Sequence, residues 1–188
     1  MGKQNLRSIS KRPRRSALLP LLVAAAVAGV GCAGAKVSLT PVQLSLWPGA
    51  QVFTQDTPVR GMALNLLGGA QDDVAGLDVG LLNTVEKEFT GIGAGAVNLG
   101  HGHVRGIQVG LGNTADTSLA GMQAGIANQV DGEMKGAQLG MGNFAGKCAG
   151  VQIGAVNMAD STKCVQLGLF NLNPKGFLPF FPFFLIGF

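Results

Sequence analysis

The sequence predicts an all-β protein, a β-solenoid (β-roll-like) of about eight coils of 14–15 residues with caps at both ends. Three observations predict this fold. A motif of the form Gly-x-Gln-x-Gly-x-x-Asn, with apolar or small residues at most x positions, begins at Gly61, Gly76, Gly91, Gly106, Gly121, Gly136, Gly150 and Cys164. The step between copies is 15 residues five times and then 14 residues twice. No proline occurs from Val59 to Asn173, as expected where backbone pairing is continuous.

The motif itself has the alternation of a strand. Its second, fourth and sixth positions are apolar in every copy, for example Ile107, Val109 and Leu111. Side chains of a strand point to opposite sides with period two. We therefore expect these apolar residues to face the core and the third-position glutamines to lie on the other face of the strand.

Stacking of the coils about 4.8 Å apart would place equivalent residues above one another. We expect an amide ladder at the corner, where asparagine suits a turn, and a second one along the strand. The predicted ladder residues are Asn83, Asn98, Asn113, Asn128, Asn143, Asn157 and Asn171 at the eighth position, and Gln108, Gln123, Gln138, Gln152 and Gln166 at the third.

The second half of each copy is less regular. A small or apolar residue recurs near its start, such as Ala115 or Val130, and a larger apolar one near its end, such as Leu119 or Met134. The charged residues lie between them.

The alternative fold is a small outer-membrane β-barrel in which each copy is one strand and a turn. Two features count against it. Neighbouring barrel strands run in opposite directions, so successive turns should differ in length, and these do not. A barrel also carries aromatic girdles, whereas this chain has no Tyr and a single Trp.

Residues 1–35 have the form of a signal peptide. Six Lys and Arg residues precede an apolar run from Ala17 to Gly31, which is too short for an ordinary membrane span. Ala33-Gly34-Ala35 is a cleavage site of the A-x-A type, whereas Val30-Gly31-Cys32 resembles the end of a lipobox. The leader therefore predicts a lipoprotein signal of residues 1–31 with lipid attachment at Cys32, plain secretion, or an uncleaved anchor.

The rest of the chain divides into three parts. Residues 36–60 contain an alternating run and predict N-terminal cap strands. Residues 61–173 form the repeat domain, and residues 174–188 are a Phe- and Pro-rich C-terminal cap. The cap would cover the open edge of the last coil. Its alternative role is a contact with a membrane or a partner.

The charge of the chain gives no indication of nucleic-acid binding. The formal charge is +4, but the leader holds six of the 14 Lys and Arg residues and none of the ten acids. The remainder is therefore slightly acidic, whereas a nucleic-acid site needs a basic patch on the folded domain.

Three stretches together resemble the bacterial surface repeat-containing protein family. They are Thr40-Pro-Val-Gln-Leu-Ser-Leu-Trp47, the Gly-x-Gln-x-Gly repeats, and Gly176-Phe-Leu-Pro-Phe-Phe-Pro182. The resemblance covers most of residues 38–188. It implies an exported, often lipid-anchored surface protein, and it brings no catalytic residues.

Candidate metal and catalytic residues are few. His101 and His103 form an H-x-H pair, but zinc needs three or four ligands, so we expect a solvated loop. Asp72, Asp73 and Asp78 do not repeat from coil to coil as calcium-binding carboxylates would. No Ser or Cys stands beside a base in a position that breaks the repeat. The sequence therefore predicts no enzyme, no metal and no cofactor.

Cys148 and Cys164 lie one coil and two residues apart, which gives a Cα separation of roughly 8 Å for a straight strand. A disulfide usually needs less than about 7 Å. Two small apolar residues are the simpler interpretation, and a disulfide is the alternative that export would permit.

From these observations we expect an exported, non-enzymatic surface or envelope protein that acts as a structural or adhesive scaffold. Its expected location is the cell envelope, at the outer membrane or the cell surface. Its expected partners are the membrane, through a lipid anchor, and an unidentified envelope component. The alternative function belongs to the alternative fold, a transmembrane barrel that passes or senses solutes.

Overall fold

The computed structural model describes residues 40–47, 50–176 and 178–187. Across these residues the protein is all-β, without a helix, and forms a β-solenoid of about seven turns. The strands are β1 (Thr40–Trp47), β2 (Ala50–Gln51), β3 (Val59–Asn65), β4 (Gly69–Gly100), β5 (His103–Val109), β6 (Gly112–Ala115), β7 (Ser118–Ala124), β8 (Ala127–Leu139), β9 (Gly142–Ile153), β10 (Val156–Leu172) and β11 (Phe180–Ile186).

Successive copies of the motif pair as parallel strands in register. Gly106 pairs with Gly121, and Gly121 pairs with Gly136. The prediction of a solenoid is confirmed and the barrel alternative is wrong, because a barrel with one strand per copy would pair neighbours antiparallel. There are about seven turns rather than eight, since the copy that begins at Cys164 supplies one strand, which ends at Leu172.

One coil consists of two strands and two corners. In the coil of β5 and β6, the corners lie at residues 110–111 and 116–117. The side chains that point inward are Val104 and Gln108 from the first strand and Asn113 and Ala115 from the second, and all four are buried. The longer strands, such as β4, continue through corners into the next coil.

The predicted orientation of the motif is inverted in the structure. The glutamines and asparagines are buried, whereas Val109 and Leu111 are 45% and 60% exposed. The apolar core comes instead from the less regular half of each copy. Its members outside the motif are Val59, Val74, Val85, Phe89, Val104, Ala115, Leu119, Val130, Met134, Ala145, Cys148 and Ala159, and Ala63 and Cys164 of the motif complete it.

The reason for this inversion is that stacking changes the cost of burying an amide. A single buried amide without a partner is strongly unfavourable. Identical amides one coil apart satisfy each other, so the coil can hold two amide rows inside. Alternation defines two faces of a strand, but it does not say which of them is inside.

The glycine at the first position allows the coils to approach. Gly121 has φ of +146°, and a Cβ there would meet the carbonyl oxygen of Gly106. The fifth-position glycine makes room for an amide, since a Cβ on Gly140 would lie 2.6 Å from Asn128 Nδ2. Gly121 and Gly140 are therefore both required by the contact with the preceding coil.

Additional strands lie at both ends of the sheet. β1 pairs parallel with β3, and β2 folds back antiparallel on β1. At the other end β11 runs antiparallel to β10, with Val165 opposite Ile186 and Leu172 opposite Phe180. β11 thus pairs with the edge of the last coil, which would otherwise present unpaired backbone groups.

Cys148 and Cys164 form a disulfide with a Cα separation of 5.3 Å. Both side chains are buried. The separation is shorter than the roughly 8 Å expected from the sequence, a value that assumed a straight strand. The bond joins the last two coils.

Candidate interaction surface

The most prominent surface feature is a row of apolar side chains along one corner of the solenoid. We call this row the apolar edge. Its members occupy the sixth position of the motif, and each is between 53% and 68% exposed. They are Leu66, Leu81, Leu111, Ile126, Met141 and Leu169.

Further apolar rows flank the apolar edge on the outer side of the first strand. These second- and fourth-position residues include Met62, Leu64, Ile92, Val109, Ile153 and Leu167, which are 36–47% exposed. The end strands extend the same surface through Val42 and Leu46 of β1 and Phe184 and Ile186 of β11. The apolar edge and its flanking rows together are called the apolar face below.

The opposite corner carries most of the charge, and we call it the charged edge. Its acids are Asp72, Asp73, Glu86, Glu88, Asp116, Asp131, Glu133 and Asp160. Lys87 Nζ lies 2.6 Å from Asp72 Oδ2, and this hydrogen bond raises the pKa of Lys87. This ion pair joins neighbouring coils at the surface, where ion pairs contribute little to stability.

His101 and His103 lie on the charged edge. His101 Nδ1 is 2.8 Å from Asp116 Oδ2, and this hydrogen bond raises the pKa of His101. The described residues contain no group of three or more His, Cys, Asp or Glu side chains that could hold a metal ion. The H-x-H pair is therefore divided between two separate contacts with the next coil.

The second contact is one that sequence reasoning missed. His103 Nδ1 lies 2.7 Å from Ser118 Oγ, so a serine does stand beside a base. Glu88 pairs with His103 on the other side, which places a carboxylate, an imidazole and a hydroxyl on three successive coils. The 15-residue step would have revealed this row, because it brings residues 88, 103 and 118 into register.

The predicted ladder residues lie together inside the solenoid. Along the asparagine row each Nδ2 donates to Oδ1 of the next coil at 2.8–2.9 Å. Along the glutamine row each Nε2 donates to Oε1 of the preceding coil at 2.7–3.0 Å. The two rows therefore donate in opposite directions along the rod.

Bonds to the backbone fix these directions. Asn128 Nδ2 also donates to the carbonyl of Leu139, and Gln138 Nε2 also donates to the carbonyl of Phe144. A carbonyl only accepts, so the nitrogen of each amide must be the atom that faces it. The buried Gln166 Oε1, in the last coil, has no hydrogen-bond partner within the described residues.

A buried acid precedes the glutamine row at the third position of the motif. Asp78 and Gly93 take the third position in two successive coils. Burial raises the pKa of Asp78 to about 7, although a hydrogen bond from Asn65 at 2.7 Å opposes this shift. Because Gly93 has no side chain, a small cavity of about 10 Å³ remains beside Asp78 and Phe89. That volume matches one water molecule.

The predicted lipid-attachment residue, Cys32, lies outside the described residues, as does the rest of the leader. Comparisons with known protein families, with curated proteins and with solved structures find no match to this chain. No helix in the part of the chain that the structure describes has the length and hydropathy of a membrane span. The fold defines a structural repeat protein of the β-solenoid class.

Proposed function

We propose that the protein is an exported, non-enzymatic scaffold of the bacterial cell envelope that makes its contacts through the apolar face. The observation that carries the proposal is the apolar edge, whose six residues are each more than half exposed. Large exposed apolar surfaces on folded proteins mark sites of interaction. The proposed contact surface is thus apolar.

Two further features support a scaffold. The amide rows and the disulfide join coil to coil, so the apolar face is carried on a hydrogen-bonded rod. The signal-like leader and the resemblance to the surface repeat family support export and attachment at Cys32. The Ser118–His103 pair is exposed on a flat edge, unlike the concave sites in which small molecules usually bind.

The test is cell fractionation of the full chain. We expect the protein in the envelope fraction and, after detergent phase separation, in the detergent phase. Cys32→Ser should be exported but should lose this partitioning if Cys32 carries a lipid. Residence of the full chain in the cytosol would contradict the proposal. So would turnover in a broad hydrolase screen that is lost on Ser118→Ala or His103→Ala.

A further inference from the structure

The outer side of the first strand changes from charged to apolar along each coil. The residue immediately before each copy of the motif points outward, and these residues form a row between the charged edge and the apolar rows. We call it the cationic row. Its charged members are Arg60, Arg105, Lys135 and Lys163, and all four are exposed. In the described coils this row contains no acid, and its other members are Ala or Thr.

Across the width of the solenoid, the cationic row therefore lies between the apolar rows and the charged edge, and Lys135 Nζ lies 3.2 Å from Glu133 Oε2 where the cationic row and the charged edge meet. The apolar edge forms one side, the cationic row follows about 6–7 Å from the nearest apolar row along the strand, and the acids of the charged edge lie beyond it. Backbone register holds this order from coil to coil, as Arg105 pairs with Ala120 and Ala120 pairs with Lys135. Seven coil steps give a surface roughly 34 Å long.

This order matches the layers of an anionic bilayer surface. Apolar side chains enter the boundary of the acyl region, and cations beside them meet the phosphate groups. The acids of the charged edge would then face water. Long Arg and Lys side chains also extend naturally from an apolar surface toward the headgroups.

We propose that the apolar face docks on an anionic lipid surface, with the rod lying along the membrane. This inference deepens the proposed function and rests on it, since it names the envelope component that the scaffold contacts. The cationic row gives the phosphates their counter-charge.

A second copy of the chain fits the surface less well. Two copies that met through their apolar faces would bring both rows of cations to the same boundary if the rods were antiparallel, and would set the cations of each copy against the apolar edge of the other if the rods were parallel. Like charges at a contact are unfavourable. An anionic lipid surface supplies the opposite charge to the same row, so the charge pattern favours lipid as the occupant.

The number of residues between Cys32 and the first described strand agrees with this orientation. Cys32 precedes Thr40 by eight residues, a reach of at most about 28 Å. β1, which begins at Thr40, contributes Val42 and Leu46 to the apolar face, and both are exposed. A lipid at Cys32 would therefore hold the N-terminal end of the apolar face close to the membrane.

The experiment is vesicle flotation of the exported Cys32→Ser protein, so that no acyl chain contributes. Vesicles of phosphatidylcholine with phosphatidylglycerol, in about equal amounts, are compared with phosphatidylcholine alone. We expect at least about tenfold more protein to float with the anionic vesicles, and salt at about 0.5 M to reduce this binding, because the cations contribute through a screened interaction. Equal flotation with both vesicles would overturn the proposal.

Two paired variants test the surface. Leu111→Ser/Ile126→Ser should lose flotation while keeping the far-UV circular dichroism of the parent protein. Arg105→Gln/Lys163→Gln should lower binding to anionic vesicles several-fold, whereas Lys87→Gln/Lys147→Gln, with the same net charge but on the charged edge, should bind as the parent does. Equal losses in both charge variants would show that net charge alone drives binding and would overturn the proposal.

Light scattering tests the alternative that a second copy of the chain, rather than lipid, covers the apolar face. A dimer that forms without vesicles and dissociates on Leu111→Ser/Ile126→Ser, in a protein that does not float, would assign the apolar face to a second copy. A protein that fractionates with the envelope but does not float would overturn this inference and leave the proposed function intact. A protein that floats but resides in the cytosol would contradict the proposed envelope function and leave the lipid-binding surface intact.

Discussion

Asn128 Nδ2 donates to Asn143 Oδ1 at 2.9 Å, which links two neighbouring coils through the interior. The same nitrogen also donates to the carbonyl of Leu139 at 3.0 Å. One buried side chain therefore satisfies a backbone group and a partner amide at once.

Replacement of Asn128 by Leu should lower the free energy of unfolding by roughly 1–3 kcal/mol, because the partners of a buried amide lose their bonds. Thermal and urea unfolding measure this change. Gln129→Ala, which changes the adjacent exposed amide, is the control and should stay within about 0.5 kcal/mol of the parent. An unchanged melting temperature for Asn128→Leu would show that the ladder does not stabilise the rod.

Two glycines of neighbouring strands, Gly112 and Gly121, should respond oppositely to alanine. Gly121→Ala should cost more than about 1 kcal/mol, since its φ is +146° and the new Cβ would meet the backbone of Gly106. A Cβ added to Gly112 would have no heavy atom within 4 Å, and the φ of Gly112 is not positive, so Gly112→Ala should be neutral or slightly stabilising. Urea unfolding measures the free energy of unfolding of both variants. Equal decreases for the two would contradict the close approach of the coils at Gly121.

Asp78 should make stability depend on pH. Burial raises its pKa from 3.8 to about 7, so the folded protein keeps a proton that the unfolded chain has released. The free energy of unfolding should therefore fall as pH rises from about 4 to about 7, by on the order of 4 kcal/mol at most, and the contribution should be constant above that range.

The matched variant for this prediction is Asp78→Asn, which keeps the shape and removes the titration. The difference in unfolding free energy between the parent and Asp78→Asn should change across this window, with the variant relatively more stable at neutral pH than at pH 4. A constant difference over the whole range would show that Asp78 titrates normally.

The disulfide should stabilise the C-terminal end of the solenoid. Cys148 and Cys164 are separated by 16 residues in the sequence, and closing a loop of about that size contributes about 3 kcal/mol by the chain-entropy estimate. Reducing agent should lower the melting temperature of the parent protein. The Cys148→Ala/Cys164→Ala protein should melt near the temperature of the reduced parent and be insensitive to the reductant, and equal melting of all samples would refute the bond's contribution.

Period and register could be read from the sequence, because both follow from spacing alone. The step from Gly106 to Gly121 predicted which residues would stack, and the structure pairs them. Orientation could not be read in the same way. The alternation of Ile107, Gln108 and Val109 is equally regular whichever side is buried, and only the mutual pairing of amides across coils makes burial of the glutamine favourable.

The candidate surface was missed for the same reason, since the apolar positions were assigned to the core. The Ser118–His103 contact and the setting of Asp78 needed the three-dimensional stack as well. Both features involve residues that do not repeat from coil to coil. The contacts of such a residue depend on the side chains at the same position in the two neighbouring coils.

The change from a 15-residue to a 14-residue coil has a consequence for how the protein can diversify. Val130 pairs with Ala145, and Glu133 pairs with Lys147, so the missing residue is absorbed wholly at the charged edge. Asn128 and Gln138 remain in register with their partners on either side of it. This corner can therefore gain or lose residues while the interior stays the same, which makes it the natural place for insertions and for variation between related chains.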